Sequence, residues 1–341
     1  MLKEKTFLVT GATGLIGSNI INKLLGMKNA HIIALSRSET KQKEMFSKHI
    51  NNGSLECVAK DIGTDFDLPS ITRNSPVDVI FHAASPISGK IITECPVDVI
   101  KPNLLATTSL LDGLVDQKHK TGINGRLIIF SSATVYGVNS QSDITVSEPD
   151  TQCSDGLNSG NAPYAESKRM TEVIARAYVK QYNVDAVIAR LGWVYGATLY
   201  PPETAMFEFI NNALRCEDIR FKSSGMPRRD NIHVDDAVSG LFTLMENGEA
   251  GDAYNISSGG ALGNFAAIDE IAEIIAKVSC EELSNKIKVI YESQPAQSRK
   301  PGIIMGNSKL GALGWKPTVG LYEGLKNTVL GQKEYNTCRA Q

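Results

Sequence analysis

The sequence has few of the features that mark several specialised classes of protein. Its 341 residues include six cysteines without a C-x-x-C pair, so the spacing predicts neither a zinc site nor a disulfide framework, and we expect no metal. No stretch approaches the roughly 20 apolar residues that a membrane span needs. Lysine and arginine (35) nearly balance aspartate and glutamate (37), which gives no electrostatic reason to bind nucleic acid. A strand-like segment begins at Thr6 and leaves no room for a signal peptide, so we expect a cytoplasmic protein that binds neither membrane nor nucleic acid.

An alternation of strand-like and helix-like segments runs through the first half of the chain. Apolar runs rich in β-branched residues predict strands at Thr6–Thr10, His31–Leu35, Leu55–Ala59, Val77–His82, Arg126–Ser131 and Asp185–Arg190. Between them, helical patterns predict helices near Leu15–Leu25, Val97–Val115 and Tyr164–Tyr182. This alternation predicts an α/β fold, with a doubly wound parallel sheet covered by helices on both faces.

Three glycines follow the first predicted strand. Gly11, Gly14 and Gly17 form a G-x-x-G-x-x-G pattern between this strand and the first predicted helix, in a turn that also holds Thr13 and the pair Leu15–Ile16. Such a turn is tight, lets the backbone approach a pyrophosphate and rests the phosphate on free N–H groups of the helix. The pattern favours dinucleotide binding over a purely structural turn.

The end of the second predicted strand bears on the choice of dinucleotide. A carboxylate here typically binds the ribose diol of NAD, whereas an arginine accommodates the additional phosphate of NADP. The chain has Ser36 and Arg37 and no carboxylate, which favours NADP, with a solvated loop arginine as the alternative. Asp61 and Ile62 follow the third strand, where they can contact the adenine ring, although an aspartate there is also typical of a turn or helix cap.

A tyrosine and a lysine stand four residues apart in the third long helix. Tyr164 and Lys168 therefore lie on one helix face, one turn apart. A neighbouring ammonium and a positively charged nicotinamide both favour the phenolate, so we expect a lowered pKa for Tyr164, which makes it a usable base. Ser132, at the end of the fifth predicted strand, can bind the same substrate oxygen.

The chain changes character after about Gly192. Further patterns predict a helix near Thr204–Arg215, a strand at Ala253–Ile256, a helix at Phe265–Val278, a strand at Lys286–Tyr291 and a helix near Leu321–Gln332. We predict a dinucleotide-binding domain over residues 1–191, to which 230–258 returns, and a smaller mixed α/β substrate-binding lobe formed by 192–229 and 259–341. The polar stretch Ser147–Asn161 predicts a surface loop in front of the Tyr164 helix.

In these motifs the chain resembles the extended short-chain dehydrogenase/reductase family, particularly its nucleotide-sugar epimerases and dehydratases. The resemblance is carried by the glycine pattern, by Tyr164 and Lys168, and by the segments Phe81–Ser85, Ser131–Gly137, Arg228–Asp236 and Leu313–Pro317. It implies a Rossmann-type sheet and an NAD or NADP cofactor. It also implies a homodimer built from the helices at 97–115 and 164–182.

The resemblance assigns further site residues. It implies that Ala83, Ala84 and Ser85 line the nicotinamide ribose, that Asn103 belongs to the cofactor site, and that Lys168 binds that ribose and tunes Tyr164. Ser132 matches the catalytic serine or threonine. The implied substrate residues are Thr134, Trp193, and Arg229 and Arg299, which would hold a diphosphate with their planar forks of donors. Two alternatives stay open: an ion pair of Arg229 with Asp235 or Asp236, and a core position for Trp193.

The resemblance favours one activity and keeps others open. Dehydratases of the family carry an Asp-Glu pair where this chain has Ala133 and Thr134, so the equipment for elimination is missing. We therefore expect an NDP-sugar 4-epimerase with Tyr164 as base. The main alternative is an NADPH-dependent 4-keto-sugar reductase or dehydrogenase, which suits Arg37. A 4,6-dehydratase or decarboxylase is less favoured, and a non-catalytic dinucleotide-sensing regulator least, because Tyr164, Lys168 and Ser132 are all retained.

Overall fold

The central sheet of the protein is parallel throughout. A computed structural model describes residues 5–51, 53–64, 66–87, 89–137, 142–151, 156–221, 226–292 and 300–340. The strands are β1 (Lys5–Thr10), β2 (Ala30–Ser36), β3 (Glu56–Ala59), β4 (Val79–His82), β5 (Arg126–Ser132), β6 (Ile144–Val146), β7 (Asp185–Leu191), β8 (Trp193–Tyr195), β9 (Ile219–Phe221), β10 (Arg229–His233), β11 (Ala253–Ile256), β12 (Phe265–Ala266), β13 (Val289–Tyr291) and β14 (Ile303–Met305). Seven of them pair in the order β11-β7-β5-β4-β1-β2-β3, which confirms the predicted α/β class.

Helices cover both faces of this sheet. They are α1 (Leu15–Leu25), α2 (Glu39–Asn51), α3 (Leu68–Ile71), α4 (Gly89–Glu94), α5 (Val97–Thr121), α6 (Ala162–Tyr182), α7 (Ala205–Leu214), α8 (Val234–Asn247), α9 (Ile268–Leu283), α10 (Ser308–Gly311) and α11 (Leu321–Ala340). One face of the sheet packs on α1 and α8, and the other packs on α5 and α6. The central strands are buried on both faces, which is why they read as continuous apolar runs.

Smaller sheets form beside the carboxyl ends of the central strands. One has the order β12-β10-β14-β6, with β8 paired to β10, and β9 pairs with β13. A separate apolar core lies between α7, α9 and α11. Residues 253–256 return to the central sheet as β11, which pairs in parallel with β7. The division into two domains remains a working proposal, since the chain crosses between these parts several times.

The sequence patterns placed most element ends within a few residues, with one clear error. The predicted helix at Phe265–Val278 is wrong at its start, because Phe265 and Ala266 form β12 and pair with Asp230 and Arg229 of β10. α9 begins at Ile268, after the backbone N–H of Ala267 donates to Glu270 at 2.7 Å. The patterns also missed α2 and α8 as helices.

Candidate active site

The glycine-rich turn brings β1 and β4 together beneath the start of α1. Gly11 has a φ of +66°, and a Cβ at this position would lie 2.7 Å from the backbone nitrogen of Ala84. A Cβ on Gly17 would overlap the carbonyl oxygen of Gly11. Both positions therefore require glycine, because any side chain would push the turn, the helix and the end of β4 apart.

The start of α1 is open to an anion. Gly14 is the N-cap residue, is exposed, and has no side chain with which to bond the first N–H groups of the helix. The half-buried Leu15 and Ile16 begin the helix, and the half-buried Thr13 precedes its cap. Uncapped N–H groups at the positive end of a helix suit a pyrophosphate. The turn thus fits the cofactor that the sequence analysis expected.

The ends of β2 and β3 contribute polar groups beside this turn. Ser36 is buried, and its hydroxyl has no hydrogen-bond partner within the described part of the chain. Arg37 is exposed. The exposed Asp61 accepts the backbone N–H of Gly63 at 2.8 Å, which is a turn contact, and Ile62 is buried in the core. These contacts favour the turn alternative for Asp61, whereas Ser36 and Arg37 keep free polar groups at the strand end.

A chain of hydrogen bonds links the end of β4 to α6. The hydroxyl of Ser85 donates to the Oδ1 atom of Asn103 at 2.8 Å, and the amide of Asn103 donates to the hydroxyl of Ser167 at 2.9 Å. Ser167 in turn donates to the carbonyl oxygen of Tyr164 at 2.8 Å. Asn103 is buried and fully engaged in this chain, so it fixes the relative position of Ser85 and Tyr164.

His82 is a buried residue at the end of β4. The hydroxyl of Thr10 and the Nδ1 atom of His82 are 2.8 Å apart. Burial, with a further contribution from the Lys168 charge, lowers the pKa of His82 to about 3. The imidazole is therefore neutral at physiological pH. Thr10 also accepts the backbone N–H of Ala84 at 3.2 Å, which holds the Ala83–Ala84 segment against the glycine turn.

Ser132, Tyr164 and Lys168 come together at the carboxyl ends of the strands. Ser132 ends β5, and Tyr164 lies in the first turn of α6, where it is half-buried and hydrogen-bonded to the Ser132 side chain. The Nζ atom of the buried Lys168 donates to the carbonyl oxygen of Phe130 at 2.8 Å. Its distance to the centre of the Tyr164 ring is 5.8 Å.

The protein groups around Tyr164 do not by themselves lower its pKa. Burial raises the pKa of Tyr164 above its ordinary value of 10.0, and the hydrogen bond with Ser132 opposes only part of this. The expected lowering, which also depends on the charge of the nicotinamide, stays a prediction for the loaded site. The Lys168 ammonium donates to the Phe130 carbonyl. Burial also lowers the pKa of Lys168 to about 8. The tyrosine is therefore protonated at neutral pH, and Ser132 is its direct polar partner.

A buried charged network lies beneath these three residues, and the sequence analysis missed it. Glu172, one turn after Lys168, accepts from the Ser131 hydroxyl at 2.6 Å and from Arg190 at 2.7 and 2.9 Å. Arg190 is 1% exposed and also donates to the Tyr136 hydroxyl at 3.0 Å. Burial raises the pKa of Glu172, but the Arg190 and Ser131 contacts outweigh it, so the net shift is downward.

The network extends to the loop in front of α6. Tyr136 donates to the Oδ1 atom of Asn255 at 2.6 Å, and Arg190 donates to the carbonyl oxygen of Glu148 at 2.7 Å. Glu148 accepts the backbone N–H of Asn255 at 2.8 Å. The sequence signal for this network was Arg190, a charged residue within the apolar run of β7, whereas Glu172 is one of several charged residues in α6 and gave no signal. The network joins the segment after Ser132 to the helix that carries Tyr164.

The residues expected to hold substrate lie beside this centre. The guanidinium carbon of Arg229 is 5.3 Å from the centre of the Trp193 ring. The alternative ion pair for Arg229 is wrong, because Asp235 pairs with His233 at 3.4 Å and Asp236 accepts from the backbone at 318–319. Thr134 has a buried hydroxyl with no partner in the described ranges. Arg299 lies outside the described residues.

The described residues offer neither a metal-binding cluster nor a membrane-spanning helix. Within the described ranges, no three His, Cys, Asp or Glu side chains are placed to hold an ion together. No helix among the described residues is long and apolar enough to cross a bilayer. The four cysteines whose side chains are described are free thiols: Cys57, Cys95, Cys216 and Cys280.

Comparison with known proteins gives one family for most of the chain. The sequence profile of the NAD dependent epimerase/dehydratase family matches residues 7–257. UDP-glucuronic acid decarboxylase 6 of Arabidopsis thaliana is 30% identical over 322 residues, which cover 93% of this chain and 86% of the relative.

Solved structures share the fold along almost the whole length. UDP-glucose 4-epimerase of Thermotoga maritima superposes with a TM-score of 0.80 at 23% identity, covering 98% of this chain and 100% of the other. UDP-glucuronic acid 4-epimerase of Bacillus cereus, in complex with UDP-glucuronic acid and NAD, gives 0.77 at 24% identity, covering 96% and 99%.

Proposed function

Because the chain belongs to the NAD dependent epimerase/dehydratase family of nucleotide-sugar enzymes, we propose its specific activity within that family: epimerisation of a nucleoside-diphosphate sugar at carbon 4. One observation carries the proposal. The hydrogen-bonded pair Ser132–Tyr164 stands beside the buried Lys168, while the two positions after Ser132 hold Ala133 and Thr134. The pair suits proton exchange with one sugar hydroxyl, and neither following residue supplies the second acid or base that elimination of water needs.

In the proposed reaction the residues of the chain handle one proton. Tyr164 takes the proton of the sugar 4-hydroxyl and later returns it, while Ser132 hydrogen-bonds the same oxygen and keeps it in line. A nicotinamide held by the glycine turn and by the segment Ala83–Ser85 would supply the redox chemistry, which is reversible hydride transfer at carbon 4 of the sugar. Lys168 presents a buried cation beside Tyr164, which favours the phenolate when the site is loaded.

We propose that the dinucleotide lies over the turn formed by Gly11, Gly14 and Gly17. Its pyrophosphate rests on the N–H groups of α1, and Ala83, Ala84 and Ser85 line the nicotinamide ribose, with Asn103 holding Ser85 in place. Related solved structures contain NAD. Arg37 and the free hydroxyl of Ser36 instead favour NADP. The variant Arg37→Glu distinguishes the two cofactors. It should weaken NADPH binding at least tenfold if Arg37 binds the additional phosphate. It should change the affinity for neither NADH nor NADPH if Arg37 is only solvated.

We propose that the enzyme is a homodimer. The outer faces of α5 and α6 expose apolar side chains that a monomer has no reason to keep together: Val97, Leu105, Met170, Val173 and Tyr182, each between 41% and 57% exposed. Paired with a second copy they form a four-helix interface. Light scattering at micromolar concentration tests this, and a monomer at that concentration contradicts it.

Decarboxylation is the second candidate, favoured by the curated relatives. A UDP-glucuronic acid decarboxylase is 30% identical over 93% of the chain. Oxidation at carbon 4 would labilise a carboxylate at carbon 5, so the same Tyr164 and Ser132 chemistry begins both reactions. Only a uronic acid has carbon dioxide to lose, but a uronic acid can also be epimerised, so the product formed from it decides between the two reactions.

The deciding experiment identifies cofactor and product together. The purified protein is denatured and any released dinucleotide is identified by mass, and the native enzyme is offered UDP-, dTDP-, GDP- and CDP-sugars and UDP-glucuronic acid. Interconversion of 4-epimers without net change in the cofactor supports the proposal. Release of carbon dioxide indicates the decarboxylase, and consumption of NADPH with a 4-keto sugar indicates the reductase.

A matched pair of variants tests the assigned base. Tyr164→Phe removes the phenol that exchanges the proton and should lower kcat by at least 100-fold, in the range that loss of a general acid–base group produces. Tyr182→Phe, at the exposed end of the same helix, should retain kcat. Undiminished turnover in Tyr164→Phe would contradict the assignment.

A further inference from the structure

Trp193 and Arg229 are brought side by side by the pairing of β8 with β10. The two strands are parallel, and Trp193 lies opposite Asn231. Arg229 is two residues before Asn231 and therefore projects from the same face of β10. Diagonal neighbours on one sheet face are within reach of long and aromatic side chains. The guanidinium carbon accordingly lies 5.3 Å from the centre of the indole, within the range of a cation–π contact.

The adjacent arginine has a different environment. Arg228 forms a two-pronged ion pair with Glu270, with N–O distances of 2.9 and 3.2 Å. Arg229 is exposed and forms no ion pair with any residue that the structure describes. The Arg228 guanidinium is therefore bound to Glu270 of α9. The Arg229 guanidinium has its N–H groups available, and the indole of Trp193 lies beside it.

The indole is itself anchored to the catalytic segment. Trp193 packs against the apolar cluster that includes Ala133 and Val135, which follow Ser132, together with Val146 and Met305 from the second sheet. The half-buried indole thus has the core on one side and the guanidinium near its ring. The position of Arg229 is tied through Trp193 to the segment that carries Ser132.

We propose that Trp193 is a positioning residue, which stacks on Arg229 and holds its N–H fork ready for the diphosphate of the nucleotide sugar. This inference depends on the proposed function for its ligand. An unsupported arginine side chain loses rotamer freedom when it binds a phosphate, and a prestacked one has already lost much of it. Trp193 therefore strengthens binding of the diphosphate without touching it, and its effect requires Arg229.

Binding measurements separate this role from a direct contact with base or sugar. Calorimetry compares UDP with uridine for wild type, Trp193→Leu and Trp193→Phe. Cation–π contacts of this kind correspond to roughly 3- to 30-fold in affinity, so Trp193→Leu should weaken UDP binding within that range. It should leave uridine binding unchanged. Trp193→Phe should have a UDP affinity between those of wild type and Trp193→Leu. In an Arg229→Gln background, Trp193→Leu should have no further effect. Equal losses for UDP and uridine, or a full effect of Trp193→Leu without Arg229, overturn the proposal.

Fluorescence gives a readout that requires neither turnover nor a nucleotide. The chain has two tryptophans, and Trp315 is buried, with its indole N–H bonded to Ser239 at 2.8 Å. In a Trp315→Phe background the emission comes from Trp193 alone. Arg229→Gln should shift the emission maximum and change the quenching of this emission by pyrophosphate. Lys309→Gln should change neither, because Lys309 pairs with Asp252 at 2.8 Å.

The two proposals fail in different ways. If wild type binds no nucleoside diphosphate but Trp193 emission responds to Arg229→Gln, the proposed function is wrong. The contact between Trp193 and Arg229 is then real, but it does not position Arg229 for a diphosphate. If wild type binds UDP and the emission ignores Arg229→Gln, the positioning role is overturned and the proposed function stands.

Discussion

Replacing Glu172 by glutamine should remove a large part of the stability of the protein. The glutamine keeps the shape of the side chain but not its charge, so Arg190 remains 1% exposed beside a neutral partner. Both carboxylate oxygens of Glu172 accept from Arg190, at 2.9 and 2.7 Å. In either orientation of the glutamine, its amide N–H groups therefore face an Arg190 donor, in a position where only an acceptor fits. Removing one member of a buried ion pair costs about 3–5 kcal/mol. We expect a loss of about 3 kcal/mol, at the lower end, because the glutamine oxygen still accepts one bond.

The loss can be measured by urea unfolding at pH 7.5, read by circular dichroism. Glu39→Gln is the matched control, since Glu39 and Lys43 form an exposed pair four residues apart, and screening by solvent leaves such a pair with little effect on stability. The pKa of Glu172 is lowered from 4.5, so the stability from its charge is present above pH 4.5 and is lost as the pH falls further. The difference between wild type and Glu172→Gln should therefore shrink in acid. A loss under about 1 kcal/mol at pH 7.5, or one independent of pH, would refute the reasoning.

Two further perturbations test the buried cation and the glycine turn. Burial holds the pKa of Lys168 at about 8, below its ordinary value of 10.5. Between these two pH values the unfolded chain binds more protons than the folded one, so the free energy of unfolding should rise with pH across that window. The rise should be smaller in Lys168→Met, and identical slopes of stability against pH in the two proteins would contradict the assigned cause. In Gly17→Ala the added methyl group overlaps the Gly11 carbonyl, so the variant should lose about 1–3 kcal/mol of stability in thermal melting and should not bind the dinucleotide. The control is Gly26→Ala at the other end of the same helix. Its methyl group would lie 3.4 Å from the nearest atom, so this variant should bind the dinucleotide normally.

The elements that the sequence predicted best are those whose pattern reflects burial alone. α1 begins and ends where the apolar periodicity does, because one face lies on the sheet and glycines bound both ends. β11 is likewise a short segment whose four residues are all buried. The start of α9 was predicted three residues early, because Phe265 and Ala266 continue the apolar pattern but pair with a strand more than 30 residues away. Such pairing is not visible in local periodicity.

The site residues divide in a similar way. The glycine turn and the Tyr164–Lys168 spacing follow from local geometry and were found in the sequence. The upward shift of the Tyr164 pKa in the protein itself was not found, because it follows from burial, which depends on how distant elements pack around the ring. The same holds for Arg228 and Arg229, which are neighbours in sequence and differ only in the partners that the fold brings to each.

The place of β11 in the central sheet has a consequence for how the protein is made. β11 pairs with β7 at the edge of the sheet, and α8, which precedes it, covers β5 and β7. A chain that has left the ribosome only as far as residue 191 therefore has its β7 edge unpaired and one apolar face of that strand uncovered. Exposed strand edges recruit other chains. This exposure ends once residue 256 has emerged and β11 can pair with β7.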